Sequence, residues 1–201
     1  MPRIRFTKNE LKAQRDALKR FQRYLPTLQL KKQQLQMEVR QREQELRDME
    51  AERKRLRDEA RTWIGLFAMD DFDFAAHLQV AAIRRSEGNI AGVAIPVLDA
   101  VEFRRETPDL FATPTWVDDG LNLIEAEIRL RLEIETLAEQ QRRLAEELRT
   151  TSQRVNLFEK VKIPEARNAI RMIRIFLGDQ QTAEVARSKI AKKKTEEALA
   201  A

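Results

Sequence analysis

The stretch MDDFDFAAH holds Asp70, Asp71, Asp73 and His77 within one short segment. On a helix Asp73 and His77 lie four apart and share a face, and carboxylates with an imidazole are donors that a divalent cation accepts. A calcium loop also needs Gly at its sixth position and Glu at its twelfth, and neither is present. His77 is the single histidine and there is no cysteine, so histidine clusters and thiolate sites are excluded. The segment reads as a solvated acidic patch. A second run, KIAKKK from Lys189 to Lys194, has the charge to meet phosphates, but no interleaved aromatics or recognition module accompany it. No phosphate-binding glycine loop and no Gly-x-Ser-x-Gly elbow occur. Trp63 and Trp116 read as packing residues. The expectation is a chain without catalytic residues, metal or cofactor, and without nucleic acid as a partner.

A sequence with so little chemistry must act through its elements. Charged residues make up 35% of the 201, aromatics 6%, and there are only 5 Gly and 6 Pro. Such a composition points to long helix or coiled coil, stabilised along a seam. MPRIRFTKNE lacks the apolar run of a signal peptide, and no segment approaches the ~20 apolar residues that cross a bilayer. A cytoplasmic protein without membrane insertion is expected.

Thr7 and Glu10 fit a capping box opening the first helix. From Leu11 a 3-4 ladder runs through Gln14, Leu18, Phe21, Leu25, Leu28, Lys32, Leu35, Val39, Arg42, Leu46, Met49, Arg53, Leu56, Ala60, Trp63 and Phe67. A period of 3.5 keeps a seam facing a partner helix. Continued to about Ile83, the helix would be about 110 Å long. Pro26 removes one amide bond, and a kink near Gln22–Leu25 is expected. The polar ladder positions Gln14, Lys32, Arg42 and Arg53 either fix register or open the seam to a third chain.

Residues 84–113 change character. VLDAVEF and DLFAT are expected to pair across RRET, giving a β-hairpin in a short head. A second helix is expected from Thr113 as N-cap with Pro114 at its first position. Its seam runs Val117, Leu121, Ile124, Ile128, slips near Leu130, and continues Ile134, Leu137, Gln141, Leu144, Leu148, Thr151, Val155 and Phe158. Behind Pro164 it resumes at Ala166, Ile170, Ile173 and Leu177. Either Pro164 bends this helix or it opens a new segment after a break at Ile163.

The expected fold is all-α: a long antiparallel two-helix coiled-coil hairpin with a small β-hairpin-containing head in mid-chain. Its parts are residues 1–83, the head 84–113, and residues 114–201 with a basic tail. Residues 1–30 carry 8 Lys and Arg against 2 Asp and Glu, residues 160–201 carry 10 against 5, and residues 66–120 carry 4 against 10. A hairpin would join the two basic ends at one tip, opposite an acidic head. The charge serves either solubility or two different neighbours.

RVNLFEKVKIPEARNAIRMIRIFL resembles the signature of the D subunits of V-type and A-type rotary ATPases. It matches at Arg154, Val155, Asn156, Glu159, Val161, Ile163, Pro164, Ile170, Ile173 and Leu177. LQLKKQQL, GNIAGVAIP and ATPTWVDDG match further stretches in order, so the resemblance spans nearly the whole chain. The chain departs from the family pattern at Gln153, Leu157 and Phe158, in LKKQQL, and at Pro26 in the first helix.

The resemblance implies a non-catalytic central-stalk rotor that carries torque between a ring of catalytic A and B subunits and the ion-translocating membrane ring. It also implies two further partners, the F subunit and a socket subunit above the membrane rotor, and a peripheral place in a complex that couples ATP to ion transport. On that reading Arg3, Arg5, Lys12, Arg167, Arg171, Arg174, Lys192, Lys193 and Lys194 form the bearing surface in the ring. Val93, Ile95, Val97, Val101 and Phe103, too apolar to stand exposed in a lone hairpin, would meet the F subunit or the socket. The alternative is a non-rotary coiled-coil adaptor or a nucleic-acid-associated rod using its basic end.

Overall fold

The computed structural model describes residues 5–62, 65, 72–107 and 113–199. Arg3, Trp63, Phe67, Asp70 and Asp71 lie outside the described residues. The order is α1 (Lys8–Ala60), α2 (Phe74–His77), β1 (Leu78–Ile90), β2 (Val93–Arg105), α3 (Val117–Leu157), a π-helical turn (Phe158–Lys162) and α4 (Ile163–Leu199). The chain is thus mostly helical with one two-stranded antiparallel sheet. It divides into two compact units, Met1–Lys31 with Thr151–Ala201, and Lys32–Thr150.

In the second unit α1 residues Leu35 and Val39 cluster with Ile95 of β2 and Leu144 of α3. Leu35 and Leu144 are fully buried. Further along α1, Arg53 and Arg57 reach Glu127, so the α1 and α3 segments run antiparallel within this unit. A second cluster of Leu78, Val117 and Leu121 is joined by Phe72, Phe74, Phe103, Trp116 and Ile124.

The hairpin leans along α3. Gln140 Nε2 donates to the Pro96 carbonyl at 2.6 Å, and Arg143 Nη1 donates to the Ala94 carbonyl at 3.2 Å. These bonds hold a two-stranded sheet that would be marginal alone. Its turn is Ala91-Gly92, both with positive φ (51° and 79°), as a two-residue hairpin loop of this hand requires. The Gly92 amide donates to Asn89 Oδ1 at 3.0 Å. The register slips between Val80 and Ala82 and between Arg84 and Arg85, leaving Ala81 and Asp99 as bulged residues. Asp99 accepts from the Ser86 hydroxyl at 2.8 Å.

Several boundaries differ from the sequence expectation. The first helix ends at Ala60, and residues 78–83 are strand. VLDAVEF pairs with the preceding segment 80–86, across a turn at Ala91-Gly92 and not across RRET. Alternation in LQVAAIRRSEGNI is weak because β1 is mostly exposed on both faces, so its period of two does not stand out. The third helix begins at Val117, with the Val117 amide bonded to the Pro114 carbonyl, three residues after Pro114. Thr7 Oγ1 does accept from the Glu10 amide at 3.2 Å, but the Glu10 carboxylate takes Gln14 Nε2 at 2.8 Å in place of the reciprocal capping bond.

In the first unit α1 residues up to Lys31 pair with the chain from Thr151 onward. Phe21 meets Phe158 with ring centroids 5.2 Å apart, and Phe6 meets Phe176 at 5.0 Å. The contacts descend one helix as they ascend the other, so these segments are also antiparallel. The buried residues here form a narrow row: Thr151, Val155, Ile163, Ala166, Ala169, Ile170 and Ile173. α1 continues through Pro26 as helix.

The π turn explains the seam around Pro164. Leu144, Leu148, Thr151, Val155 and Phe158 keep 4-3-4-3 spacing, which would continue to residue 162. The next buried residue is Ile163, followed by Ala166, Ile170 and Ile173. The Ile163 amide bonds to the Phe158 carbonyl, one residue further back than in an α-helix. That wider turn absorbs the one extra residue and keeps the seam facing α1. Pro164 follows directly and, having no amide hydrogen, donates nothing to that turn.

Candidate functional site

The structure gathers a charged groove in the first unit. Arg15 and Lys19, one turn apart on α1, face Arg167, Arg171 and Arg174, which recur at i, i+4 and i+7 on α4. Leu18, Ile170 and Ile175 supply apolar lining, and Gln22 stands at the same wall. The volume is about 690 Å³. The lining holds five cations and no carboxylate. Like charges so close repel, and a carboxylate-bearing surface relieves that repulsion. Next to the groove Met172 and Phe176 are roughly half exposed, as is Phe6 opposite Phe176. Half-exposed apolar side chains on a helix that also carries these arginines suit a protein partner better than bulk water.

Three of the nine cations expected to form a bearing, Arg167, Arg171 and Arg174, are therefore brought together. Arg5 and Lys12 are exposed on the N-terminal side of α1 or just before it. Lys192 pairs with Glu196 at 3.7 Å, and Lys193 and Lys194 are exposed further along α4. Arg15 and Lys19 were missed by sequence reasoning. Their signal was available, since they flank Leu18 of the ladder and so border the seam.

The hairpin residues fare differently. Ile95 is 4% exposed in the cluster with Leu35, Val39 and Leu144, and Val93 packs beside it. Phe103 packs against the Leu78–Leu121 cluster, with the Arg129 guanidinium 5.2 Å from its ring centre. Within the chain, α1 and α3 cover Ile95, Val93 and Phe103 of this row. Val97 and Val101 remain half-buried, and Val101 pairs with the exposed Ile83.

The acidic segment has a structural task. Asp73 caps α2, accepting from the Ala75 and Ala76 amides at 3.0 and 3.3 Å. His77 stacks near Phe72 and its Nδ1 lies 3.0 Å from the Asp73 carbonyl. Trp116 lies 6.1 Å from Phe74, within the same cluster. Among the described residues no three His, Cys, Asp or Glu side chains converge as a metal site requires.

Of the family-motif residues, Val155 and Ile163 are buried and carry the seam, whereas Arg154, Asn156, Glu159 and Pro164 are exposed. Of the four polar ladder positions, Arg53 joins Arg57 on Glu127 Oε1, with Nε–O distances of 2.7 and 3.0 Å. Burial pushes the Glu127 carboxyl up, but the two guanidiniums outweigh it and hold it below the usual carboxylate range. Arg42 pairs with Glu45 on its own helix.

Residues 10–193 match the family model for the D subunit of ATP synthase. The chain belongs to this family. It is 48% identical over 192 residues to the V-type ATP synthase D subunit of Borreliella burgdorferi, covering 96% of this chain and 95% of that one. It is 34% identical over 196 residues to the V-type ATP synthase D subunit of Chlamydia muridarum, covering 96% and 97%. The same identity holds for the V-type ATP synthase D subunit of Chlamydia caviae, covering 96% and 94%. Family membership makes this chain a component of a rotary ATPase. No helix among the described residues is long and apolar enough to cross a membrane.

Proposed function

We propose that the chain is the central rotor shaft of a V-type ATPase, an antiparallel coiled-coil hairpin that carries torque between the catalytic A/B ring and the membrane ring. The observation that carries this reading is the five-cation groove beside half-exposed Phe6, Met172 and Phe176. A shaft turning inside a ring must slide past chemically similar subunits in turn. Long arginine side chains exchange carboxylate partners at small cost when the pairs are solvated, and the apolar residues exclude water between contacts. In this reading the chain is non-catalytic, and the tip bears on carboxylates of the A and B subunits. Arg5 and Lys12, with Lys192, Lys193 and Lys194, extend that surface. Half-exposed Val97 and Val101, beside exposed Val80 and Ile83, are the part of the hairpin left for the F subunit or the socket subunit.

The test replaces Arg15, Lys19, Arg167, Arg171 and Arg174 with glutamine and reconstitutes the chain with an A/B ring and the F subunit. The expected result is unaltered helicity, a faster salt-dependent loss of the shaft from the ring, and reduced coupling of ATP hydrolysis to rotation. Undiminished torque and coupling would show that these charges serve only solubility.

A further inference from the structure

The paired part of α4 ends at a definite place. Phe6, which precedes α1, meets Phe176 with ring centroids 5.0 Å apart, and Leu177 is the last half-buried residue of the seam. Every residue from 178 to 196 is exposed. The spacing of Ile163, Ala166, Ile170, Ile173 and Leu177 would continue at Gln180, Glu184, Arg187 and Ala191. Two of those positions are charged and one is an amide, so the seam stops in the sequence where it stops in the packing. The residue at that boundary is Gly178, and α4 runs through it to Leu199.

Neither packing nor backbone conformation asks for glycine here. A Cβ at Gly178 would meet no atom within 4 Å, and its φ is not in the left-handed region, which among the described glycines only Gly92 occupies. In a helix interior glycine is disfavoured against alanine by about fivefold. The turns beyond it stay exposed on every face. Helical stability comes mostly from tertiary packing, and a lone helix of ~20 residues is only partly formed in water. Thr182, Ser188 and Thr195 each return the hydroxyl to the carbonyl four residues back, at 3.0, 2.9 and 2.9 Å, an arrangement that loosens and bends helices.

We propose that Gly178 is a hinge: the segment 179–199 is an arm that forms and melts as helix, and turns, independently of the paired segments on its N-terminal side. A glycine one residue past Leu177 frees the arm without loosening the seam, because no seam contact lies beyond it. A change in the arm's direction then leaves the Phe6–Phe176 contact and the buried row behind it undisturbed. The direction of the arm is set by whatever surface it meets, not by the helix pair. The hinge concerns the chain alone and does not need the rotor reading.

Amide hydrogen exchange on the full chain reads the arm. Amides of residues 182–195 are expected to exchange about tenfold or more faster than those of 166–173, with the step at the glycine. Gly178→Ala should slow exchange of residues 180–190 by about fivefold and leave 166–173 unchanged. Protection of 182–195 equal to that of 166–173, or no response to Gly178→Ala, would overturn the hinge. The chain has no cysteine, so nitroxides on Asn168→Cys and Ser188→Cys, both exposed positions, read the angle directly. In a continuous straight helix the two positions lie about 30 Å apart. A broad spread of distances reaching well below that value is expected, narrowing when Gly178→Ala is added. A single narrow distance with Gly178 in place would equally remove the hinge. Neither measurement involves the ring, so failure of the hinge leaves the rotor reading untouched, and failure of the chain to assemble with the ring leaves the hinge untouched.

Discussion

The two units solve the same packing problem by different means. In Lys32–Thr150 a third element, the hairpin, covers the helix pair, and Leu35, Leu121 and Leu144 are fully withdrawn from water. Two arginines of α1 converge on one carboxylate of α3. In Met1–Lys31 with Thr151–Ala201 no strand covers the paired helical segments among the described residues; Val155, Ile163, Ala166, Ala169, Ile170 and Ile173 fill the seam, while Phe6, Met172 and Phe176 stay roughly half exposed. A two-helix pair cannot enclose its contacts, because each helix presents one face to the other and the rest to solvent. The lesson is that a third element lets one unit enclose an apolar centre, while a bare pair of helical segments keeps only a narrow buried seam.

That contrast can be broken most forcefully at the enclosed centre. Leu144→Ala removes a fully buried side chain from the cluster of Leu35, Val39 and Ile95 and should cost about 2–5 kcal/mol, read by denaturant unfolding. The same truncation at half-exposed Met172 should cost well under ~1 kcal/mol. Equal costs would erase the distinction between the units. Glu127→Ala leaves Arg53 and Arg57 facing each other without their carboxylate, and should lower stability by about 1–2 kcal/mol, less at high salt. Ala91→Gly relieves a left-handed backbone at the hairpin tip and should gain up to about 1 kcal/mol, offset by lost contact with the Leu35 cluster.

The smallest effect is in acid. The guanidiniums of Arg142 and Arg143 bonded to Glu139 hold its carboxyl down at about 2, below its ordinary 4.5. A depressed carboxyl contributes stability that is present above the unfolded value and is lost as pH falls toward the folded one. The pair is solvent-exposed, so the contribution is small. Wild type and Glu139→Gln should therefore differ slightly above pH 5 and converge between 4.5 and 2, as followed by helicity.

Much of the helical architecture was legible. Every ladder position from Leu11 to Ala60 is buried or half-buried, because a strict 3-4 spacing has a single physical use on a long helix. The shift of the seam behind Phe158 was also written in the spacing, as one residue too many before Ile163. What spacing could not supply was the cover on α3. Thr136 and Gln140 are buried although they lie off the seam and are polar; Thr136 returns its hydroxyl to the Leu132 carbonyl, and Gln140 donates to Pro96 of the docked hairpin. Strand β1 hid for a related reason, since a mostly exposed strand carries no apolar alternation. The groove was half visible: Arg167, Arg171 and Arg174 stand out by their period, but Arg15 and Lys19 join them only once two distant segments lie side by side.

The hairpin's outer strand has one more consequence. Each strand of a two-stranded sheet leaves a row of amides and carbonyls open to any other extended chain. Here β1 carries Arg84, Arg85 and Glu87, and its pairing is bent by bulges at Ala81 and Asp99. Charge and curvature make a poor template for edge-to-edge growth. The open edge of the hairpin is thereby guarded against recruiting a further strand.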